Sequence, residues 1–429
     1  MDKVKIGILG LGNVGRGVWK ILNTNKEEIR RRSGYDIEIA KILVRDVEKN
    51  RGVDVPREIL TVNPDDILED DSIKIVVEVI GGINPAKEYI LKAMKNKKHV
   101  VTANKMLLAT EGDELFNAAE EEGVMFYYEA SVAGGIPIIH AINESLTANK
   151  IEQLIGIING TTNYILTKMT LEKMDFATAL KEAQEKGFAE ADPTSDIEAY
   201  DAMYKLAILS SLSFGTKINV KDIYREGITK IEPIDIEFAR EFGYVIKLIA
   251  IVKETETGLE MRVHPAMIPE RHPLASVNDS FNAIFIKGNA VGDIMLYGRG
   301  AGDLPTGSAV VADVISILRG NVDLSAISTV KNNFRNRKIN SMDQTVSEYY
   351  VRITVRDLPG VLGEISMIFG EEGVSLLSVM QKGKREEFVT VVYFTHSAHE
   401  GMINNAIERI KKSKYTKNID NLIRIENIQ

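Results

Sequence analysis

The first third of the chain alternates between short apolar runs and stretches in which apolar residues recur at helical spacing. Residues 3–9 alternate and then saturate with Val, Ile and Leu, as a buried parallel strand does. Similar patterns predict strands at 37–44, 73–80, 99–101 and 125–130 and helices around 18–22 and at 85–96. Strands that alternate with helices predict an α/β domain with a parallel sheet.

The remainder of the chain predicts a second sheet and a separate C-terminal module. Strands are expected at 151–158, around 260–264 and at 283–288, and helices at 176–187, 205–214 and 305–318. A polar, irregular stretch follows. Beyond it, a strand at 349–355, a helix ending at Phe369, further strands and a helix at 400–412 predict a βαββαβ module.

These patterns place the domain boundaries. We expect a nucleotide-binding α/β domain at 1–130, to which a helix at 303–320 returns. An α+β domain with an open sheet, for substrate binding and dimerisation, is expected at 131–302. A linker at 321–347 then leads to the C-terminal module at 348–429. A chain of 429 residues has room for two or three domains.

Composition narrows the classes of function. The net charge of −8 argues against nucleic acid as a partner. The chain has no cysteine, which excludes disulfides, thiolate catalysis and cysteine-ligated metals. The first strand begins at once, which leaves no room for a signal peptide, and no apolar run reaches the roughly 20 residues that cross a bilayer. We therefore expect a cytoplasmic protein that does not bind membranes.

A glycine-rich turn follows the first strand and opens a helix. Its sequence is Gly10-Leu11-Gly12-Asn13-Val14-Gly15, the Rossmann fingerprint in its usual context. Gly10 permits the tight turn, Gly12 lets a pyrophosphate approach the backbone, and Gly15 lets helix and strand pack closely. The N–H groups at the helix start, including those of Asn13 and Val14, would face the phosphates. A glycine-rich turn without a ligand is the alternative.

Two further strand ends bear on the cofactor. The second strand ends in Arg45-Asp46, and an arginine there suits the 2′-phosphate of NADP, whereas an acid suits the ribose of NAD. Arg45 favours NADP, and Asp46 keeps NAD open. The strand at 73–80 ends in Gly81-Gly82, a natural place for the nicotinamide.

Near the middle of the chain, an acid-rich loop leads into a helix. Pro193 stands where the helix would begin, and apolar residues then recur at helical spacing. Asp201 and Lys205 are four residues apart, so we expect them on one exposed edge of this helix, with Asp196 about a turn earlier. A solvated surface ion pair is the more common interpretation of such a pair. The carboxylates of the segment are Glu190, Asp192, Asp196, Glu198 and Asp201.

The ordered string is more specific than its parts. Gly187-Phe188-Ala189-Glu190-Ala191-Asp192-Pro193, followed by Asp196-Ile197, Asp201 and Lys205, resembles the signature of homoserine dehydrogenase. Ala199 stands where that family usually has glycine, and alanine suits a helix better than glycine does. The string Thr102-Ala103-Asn104-Lys105 is a second resemblance, although a lysine after a strand is often only a solvated loop residue.

The resemblance implies NAD(P)-dependent interconversion of L-homoserine and L-aspartate 4-semialdehyde, in threonine, methionine and isoleucine biosynthesis. It implies that Lys205 donates the proton, that Asp201 orients Lys205 or a water, and that Lys105 binds cofactor and substrate. Glu190 and Asp196 would bind the substrate ammonium. The remaining implied contacts are those of Gly160 and Thr161 with substrate and of Gly302 with cofactor. For the turn at Gly302, a plain loop before a helix is the alternative.

A connection rich in small residues follows the strand at 125–130. Glu129 and exposed backbone carbonyls after it could hold a hard monovalent cation, although a capped turn is the more common interpretation. The family resemblance implies a sodium ion bound by Glu129 and the carbonyls of Val132, Gly134 and Ile136. The histidines, including His264 and His272, lack ligand spacing and are interpreted as structural.

The C-terminal module resembles an ACT domain, and Asp357, Gly360, Val361 and Leu362 carry the match. The resemblance implies an amino-acid effector, with threonine as the family expectation. ACT domains pair by edge strands, which implies a homodimer or homotetramer. An assembly module that has lost its ligand is the alternative. For the whole chain, the alternatives are a dehydrogenase of another small amino aldehyde and a non-catalytic amino-acid sensor.

Overall fold

The computed structural model describes residues 2–320, 336–382 and 386–427. The chain divides into two compact units. The first comprises Met1–Glu152, Tyr204–Val220 and Asn282–Asn336, and the second comprises Gln153–Met203, Lys221–Phe281 and Arg337–Gln429. Each unit is thus assembled from segments that are distant in sequence. In the described ranges, no helix combines the length and the apolar character needed to span a membrane.

The strands of the described chain are numbered in sequence order. They are β1 (Asp2–Leu9), β2 (Tyr35–Leu43), β3 (Leu60–Thr61), β4 (Ile73–Glu78), β5 (His99–Thr102), β6 (Phe126–Tyr127), β7 (Ile151–Ile157), β8 (Tyr224–Arg225), β9 (Tyr244–Thr255), β10 (Gly258–Pro269), β11 (Phe281–Gly288), β12 (Gly292–Arg299), β13 (Val346–Arg356), β14 (Leu376–Lys382), β15 (Phe388–Thr395), β16 (Ala398–His399) and β17 (Thr416–Ile425).

Helices of two turns or more connect these strands. They are Asn13–Thr24, Lys26–Ser33, Ala86–Lys95, Lys105–Glu122, Gly160–Leu171, Phe176–Glu185, Tyr200–Phe214, Pro233–Glu241, Asp303–Leu318, Val361–Glu371 and Glu400–Lys411. Single helical turns are found at Asp65–Leu68, Ile138–His140 and Thr194–Ile197.

The first unit contains a parallel sheet with the order β3-β2-β1-β4-β5-β6. The chain extends this sheet on one side of β1, then crosses to β4 and extends it on the other side. Ile6, Ile8 and Leu9 of β1 are fully buried, as expected for a central strand. The α/β prediction is confirmed. In doubly wound sheets of this kind, ligands bind outside the carboxyl ends of the strands where the order reverses, here between β1 and β4.

Glycines let two helices of the first unit touch. A Cβ on Gly17 would lie 1.8 Å from the carbonyl oxygen of Asp303, and a Cβ on Gly307 would lie 2.6 Å from the carbonyl carbon of Gly17. The helices Asn13–Thr24 and Asp303–Leu318 therefore pack backbone to backbone. Apolar side chains of both helices join one core, among them Val18, Ile21, Leu22, Val310 and Val314.

The second unit contains a mixed sheet in which strands follow the order β7-β9-β10-β17-β13-β15-β14. Strands β9 and β10 form an antiparallel hairpin, and β10 pairs in parallel with β17 through Ala266–Arg424 and Met267–Ile425. Strand β13 lies antiparallel between β17 and β15. Because β17 is the last strand of the C-terminal module, the module and the strands that precede it share one sheet.

The C-terminal module has the predicted βαββαβ order. Its elements are β13, the helix Val361–Glu371, β14, β15, the helix Glu400–Lys411 and β17, with the short β16 added before the second helix. Both helices pack on one apolar face of the sheet. Of the predicted linker, residues 321–335 lie outside the described residues, and Met342–Gln344 forms a 3-10 turn before β13.

The strand predicted at 125–130 is shorter than expected. Only Phe126–Tyr127 pairs in the sheet, and Glu129–Ser131 forms a 3-10 turn. The backbone N–H of Glu129 donates to the Asp313 carboxylate at 2.9 Å instead of to a neighbouring strand. A side chain distant in sequence thus ends the strand early.

Candidate active site

The three glycines of the first turn differ in what surrounds them. Gly10 has φ +108°, and a Cβ there would lie 2.9 Å from the Val79 carbonyl oxygen; at Gly15 a Cβ would lie 2.2 Å from the Gly10 carbonyl oxygen. At Gly12, by contrast, a Cβ would meet no atom within 4 Å. Packing therefore requires glycine at Gly10 and Gly15, whereas Gly12 leaves the outer side of the turn accessible. The N–H groups of Asn13 and Val14 begin the helix there, as an anion site requires.

A second helix starts beside this one. Gly302, with φ +129°, precedes the helix Asp303–Leu318, and the Lys20 ammonium lies 2.7 Å from the Asp303 carboxylate. This ion pair lowers the pKa of Asp303. The Gly302 turn is thereby held against the helix that the glycine-rich turn opens.

Arginines gather after the second strand. Arg45 is exposed, and the neighbouring Asp46 carboxylate accepts the backbone N–H of Glu48 at 2.8 Å. Arg51 donates to the Asp46 carbonyl oxygen at 2.6 Å, and Arg16 donates to the Arg51 carbonyl oxygen at 3.1 Å. The acid next to Arg45 is thus engaged in a turn, and two further arginines lie in the same region.

A buried carboxylate joins the ends of two adjacent strands of the first unit. Glu78, at the end of β4, accepts the Thr102 hydroxyl at 2.6 Å and the backbone N–H groups of Ile80 and Gly81 at 2.8 and 3.2 Å. Burial raises the pKa of Glu78, and these hydrogen bonds oppose that rise. Gly81 itself has φ +80°, so the turn after β4 is fixed by both its glycine and this carboxylate.

The same network sets the start of the helix that carries Lys105. Asn104 donates to the Gly82 carbonyl oxygen at 2.6 Å, and its side-chain oxygen caps the helix by accepting the Leu107 N–H at 3.2 Å. Its backbone N–H donates to the Thr102 hydroxyl at 3.1 Å. Lys105 is therefore the first residue of a helix whose N-terminus is anchored to two strand ends.

In the second unit, one asparagine joins two of the predicted acids. Asn159 donates through Nδ2 to Asp196 at 2.6 Å and to Asp201 at 2.9 Å. Its side-chain oxygen accepts the Thr162 N–H and caps the helix Gly160–Leu171. At Gly160 a Cβ would lie 2.9 Å from the Ser280 carbonyl oxygen, so a side chain does not fit there.

The loop before the short helix is tied to the same region of the second unit. The Thr161 hydroxyl donates to the Phe188 carbonyl oxygen at 2.7 Å, and Gln184 donates to the Glu190 carbonyl oxygen at 3.0 Å. The Glu190 side chain is exposed and Asp196 is half-buried. The structure thus brings Asp196 and Asp201 together through Asn159, whereas Thr161 bonds to the loop at Phe188 and Glu190 follows on an exposed part of that loop.

Two predictions about the central segment are wrong. The helix expected to run from Pro193 through Lys205 is broken: Thr194–Ile197 ends before Ala199, which has φ +62°, and Tyr200–Phe214 starts afresh. Ala199 therefore occupies a left-handed conformation that favours glycine, and its helix propensity is irrelevant there. Asp196 accordingly belongs to a separate turn.

The predicted exposed edge is instead buried. Asp201 and Lys205 are 4% and 7% exposed, although they lie one turn apart on the helix Tyr200–Phe214 as predicted. The neighbouring residues Ala202, Met203, Leu206 and Ala207 are also buried, so this part of the helix packs among apolar side chains. A buried acid and a buried lysine on one helix are much less common than a surface pair. Their burial therefore favours a chemical role over a surface ion pair.

Glu129 lies in a buried polar cluster of the first unit. Its carboxylate accepts the N–H groups of Ile139 at 2.9 Å and His140 at 2.7 Å, so it caps the turn that starts at Ile138. The hydrogen bond of the His140 ring to the Asp313 carboxylate raises the pKa of His140 to about 8, and burial raises the pKa of Glu129 to about 7. The capped turn is therefore present, and His140 has a structural role as expected.

The carbonyls expected to be exposed after Glu129 belong to buried residues. Val132, Gly134 and Ile136 are all buried, and the Ile136 carbonyl oxygen accepts the Ile138 N–H at 2.8 Å. The prediction of exposed carbonyls is wrong, because the turn folds under the segment around Gly300: a Cβ on Gly134 would lie 2.5 Å from the Gly300 carbonyl oxygen.

Comparisons with known proteins agree with this arrangement. Family models match residues 10–129 (homoserine dehydrogenase, NAD binding domain), 137–315 (homoserine dehydrogenase) and 349–414 (ACT domain). The homoserine dehydrogenase of Neisseria gonorrhoeae is 43% identical over 435 residues, covering 100% of both chains, and that of Bacillus subtilis is 40% identical over 430 residues, covering 99% of both. The chain belongs to the homoserine dehydrogenase family. It is accordingly an NAD(P)-dependent oxidoreductase with a C-terminal ACT domain.

Solved structures of the homoserine dehydrogenase family agree with the fold. The crystal structure of the Thiobacillus denitrificans homoserine dehydrogenase is 43% identical, with a TM-score of 0.93 and coverage of 100% of this chain and 99% of that chain. A hyperthermophilic archaeal homoserine dehydrogenase, solved in complex with NADPH, is 29% identical with a TM-score of 0.64, and covers 75% of this chain and 99% of its own.

The predicted effector residues of the ACT domain surround one helix start. Gly360 has φ +90° and precedes the helix Val361–Glu371. Asp357 is half-buried, Val361 is buried in the core of the domain, and Leu362 is exposed. The Val361 side chain is therefore closed to a ligand, and its backbone N–H donates to the Leu358 carbonyl oxygen at 3.3 Å.

A buried ionic cluster joins the ACT domain to the helix Pro233–Glu241. The carboxylate of Asp235, which is fully buried, accepts the Tyr350 hydroxyl at 2.8 Å, Arg352 Nε at 2.7 Å and Asn421 Nδ2 at 2.8 Å. The three donors come from β13 and β17 of the ACT domain. The first residues of that helix thus contribute a charge to the ACT sheet.

A second cluster repeats this arrangement around Arg424 of β17. Its guanidinium donates to Glu226 at 2.8 Å, to the Tyr224 hydroxyl at 2.9 Å and to Glu400 at 3.0 Å. Glu226 and Tyr224 precede the ACT domain in sequence, and Glu400 belongs to it. The ACT domain of this chain is therefore continuous with the strands before it through both backbone pairing and buried charge.

Proposed function

We propose that the chain interconverts L-homoserine and L-aspartate 4-semialdehyde and that Lys205 transfers the proton. The bound nicotinamide cofactor supplies or accepts the hydride at the terminal carbon of the substrate. In reduction, the aldehyde oxygen gains negative charge and the Lys205 ammonium donates a proton to it; in oxidation, the neutral amine takes the proton of the alcohol. The observation that carries this proposal is the burial of Lys205 one helical turn after buried Asp201.

Two other residues would support this step. We assign Asp201 to orient Lys205 or a water, and Lys105 to bind cofactor and substrate oxygen. The anchored helix start at Lys105 supports its assignment, because a fixed backbone limits the positions that the side chain can reach.

The amino-acid part of the substrate would be recognised by charge. Glu190 and Asp196 would accept the ammonium, and the N–H groups at Gly160 and Thr161 would bind the carboxylate, since a capped helix N-terminus favours anions. Acids for the ammonium and a helix start for the carboxylate match an α-amino acid better than they match a keto acid.

We assign NADP as the preferred cofactor, held by Gly10, Gly12, Asn13, Val14 and Gly15. Arg45 is exposed after β2 and Arg16 and Arg51 lie in the same region, whereas Asp46 is engaged in a turn. Arginine forks match a phosphate, which the ribose of NAD lacks. Gly81, Gly302 and Lys105 would complete the contacts to the nucleotide.

We also assign a sodium ion to Glu129 and the carbonyls of Val132, Gly134 and Ile136. These are oxygen ligands, which a hard monovalent cation prefers, and a carboxylate that accepts two N–H bonds keeps further lone pairs for an ion. The ion would stabilise the buried turn that starts at Glu129.

The ACT domain would regulate the enzyme and help to assemble it. Threonine is the effector that we propose, bound near Asp357, Gly360, Val361 and Leu362. Strand β14 ends the sheet order of the second unit, and its Leu377 is 53% exposed, which supports pairing with a second copy in a homodimer or homotetramer.

A two-cofactor assay tests the reaction and the cofactor assignment together. The full chain is mixed with L-homoserine and either oxidised NADP or oxidised NAD, and the reduced-nicotinamide absorbance is followed. We expect saturable turnover, with kcat/KM for NADP higher by at least about tenfold, which corresponds to about 1.4 kcal/mol of additional binding. L-Serine, which lacks one methylene, is the control substrate. A lack of turnover with both cofactors would refute the reaction, and a preference for NAD would refute only the cofactor assignment.

A further inference from the structure

We propose that Asn159 is a positioning residue for the reaction, because its single amide group fixes the relative position of three parts of the substrate site. These parts are the helix start at Gly160, the acid Asp196 and the acid Asp201. The inference rests on the proposed function, which assigns a role to each of the three. Asn159 itself is 5% exposed and acts through its neighbours.

The geometry of the amide determines where the two acids lie. The two hydrogens of Nδ2 point in different directions, and the two bonds measure 2.6 Å to Asp196 Oδ1 and 2.9 Å to Asp201 Oδ2. The two carboxylate oxygens are therefore on the order of 5 Å apart, one on each side of a single nitrogen. Among side chains, the asparagine amide is the shortest neutral group that carries two N–H donors on one nitrogen.

The two acids lie in two separate helical segments, and no continuous helix connects them. Asp196 belongs to the turn Thr194–Ile197, Asp201 begins the helix Tyr200–Phe214, and Ala199 between them has a left-handed backbone. A continuous helix would have fixed the spacing of the acids by its own geometry. Here the helix is interrupted, so the side chain of Asn159 supplies the constraint instead.

Electrostatics makes this constraint necessary. Two carboxylates at this separation repel each other, and Asp201 is nearly excluded from water. The N–H groups of Asn159 offset part of the repulsion and keep one oxygen of each acid occupied. Each carboxylate is thereby held in a defined orientation, as the proposed roles of Asp196 toward the substrate ammonium and of Asp201 toward Lys205 or a water require.

The third contact links the acids to the carboxylate end of the site. The side-chain oxygen of Asn159 accepts both the N–H and the hydroxyl of Thr162 at 2.8 Å. It thereby caps the helix whose first residues are Gly160 and Thr161. Asn159 thus sets the distance between the groups that bind the substrate ammonium and those that bind its carboxylate.

Two substitutions separate the donor role from the cap role. Asn159→Ser and Asn159→Asp both leave an oxygen that can cap the helix, and both remove the N–H groups. Serine leaves the two acids without their shared donor, whereas aspartate adds a third carboxylate beside them. We expect kcat/KM for homoserine to fall about tenfold or more in Asn159→Ser and about a hundredfold or more in Asn159→Asp, since hydrogen bonds to charged groups are worth one to two factors of ten.

The pattern of the kinetic constants is more informative than the loss itself. The KM for homoserine should rise in both variants, while the KM for the nucleotide stays within about twofold, because Asn159 bonds to Asp196, Asp201 and Thr162 of the substrate site. In Asn159→Asp the acid limb of the pH profile of kcat/KM should also move to higher pH, because an added carboxylate raises the pKa of its neighbours. A purely structural role would move neither quantity.

Asn163 provides a matched control on the same helix. It is buried and donates through Nδ2 at 3.1 Å to the carbonyl oxygens of Val277 and Phe281, and not to the acids. Asn163→Ser should lower the melting temperature and leave the KM for homoserine and the pH profile unchanged.

The outcomes distinguish this inference from the proposed function. If the wild-type chain oxidises homoserine and both Asn159 variants retain its KM for homoserine and its pH profile, the positioning role is refuted and the reaction stands. If both Asn159 variants melt far below the wild type, as Asn163→Ser should, and their KM for homoserine is unchanged, Asn159 is a cap and nothing more. A wild-type chain without turnover refutes the proposed function itself.

Discussion

Replacing Lys205 by methionine should lower kcat for homoserine oxidation by at least about a hundredfold, the usual loss when a general acid–base group is removed. Methionine has nearly the same length and no proton to transfer, so it fills much of the same buried space without the acid–base group. The KM values for homoserine and for the nucleotide should change much less than kcat. The measurement is a full set of initial rates together with a melting curve for each variant.

Lys217→Met is the matched control for this experiment. Lys217 is an exposed lysine of the same unit that forms an ion pair with Asp113 and has no assigned role in the reaction. Its replacement should leave kcat within about twofold, because exposed ion pairs contribute little. If Lys205→Met retained nearly full turnover, the proton would be transferred by another group, and Lys105 would be the first to examine.

Replacing Asp235 by alanine should destabilise the second unit by about 3–5 kcal/mol. The reason is that Asp235 is fully buried and accepts hydrogen bonds from Tyr350, Arg352 and Asn421, so its removal leaves a buried guanidinium with less compensation. Arg352 also contacts Glu232, which is largely exposed and can replace only part of the lost interaction. Urea unfolding of the full chain, followed by far-UV circular dichroism, measures the change.

A double variant tests the physical cause of that loss. In Asp235→Leu with Arg352→Met, both charges are absent, and the stability should recover by at least about 1 kcal/mol relative to Asp235→Ala, because no unpaired charge is left in the interior. The Asp420 carboxylate lies 4.0 Å from the Arg352 guanidinium, at the edge of the same cluster. Asp420→Ala should therefore lower the free energy of unfolding by less than Asp235→Ala or the double variant does. Equal stability of Asp235→Ala and the wild type would mean that the ACT domain is held by its strand pairing and apolar core and not by this cluster.

Features that depend on local chemistry were predictable from the sequence. The glycine-rich turn follows from the spacing of Gly10, Gly12 and Gly15 after an apolar strand, and in the structure packing requires glycine at Gly10 and Gly15 and leaves Gly12 open. The order of elements in the ACT domain followed from its alternating apolar pattern. In both places, the residues that decide the structure are close together in sequence.

Features that depend on tertiary contacts were not predictable. Ala199 has a good helix propensity, but the chain must turn there, so tertiary packing overrides it. The role of Glu78 depends on the parallel register that places it opposite Thr102, and that of Asp313 on a partner 184 residues away in sequence. The position of Asn159 between Asp196 and Asp201 likewise depends on the break in the helix at Ala199, which the sequence did not indicate.

Hydride transfer between the terminal carbon of homoserine and the nicotinamide ring is the step on which the proposed function depends. It is tested most directly with L-homoserine that carries two deuterium atoms on that carbon, and with the mass of the reduced cofactor as the readout. We expect each reduced cofactor to gain one deuterium and the other deuterium to remain in the aldehyde product. Reduced cofactor without deuterium, or no reduced cofactor at all, would contradict it.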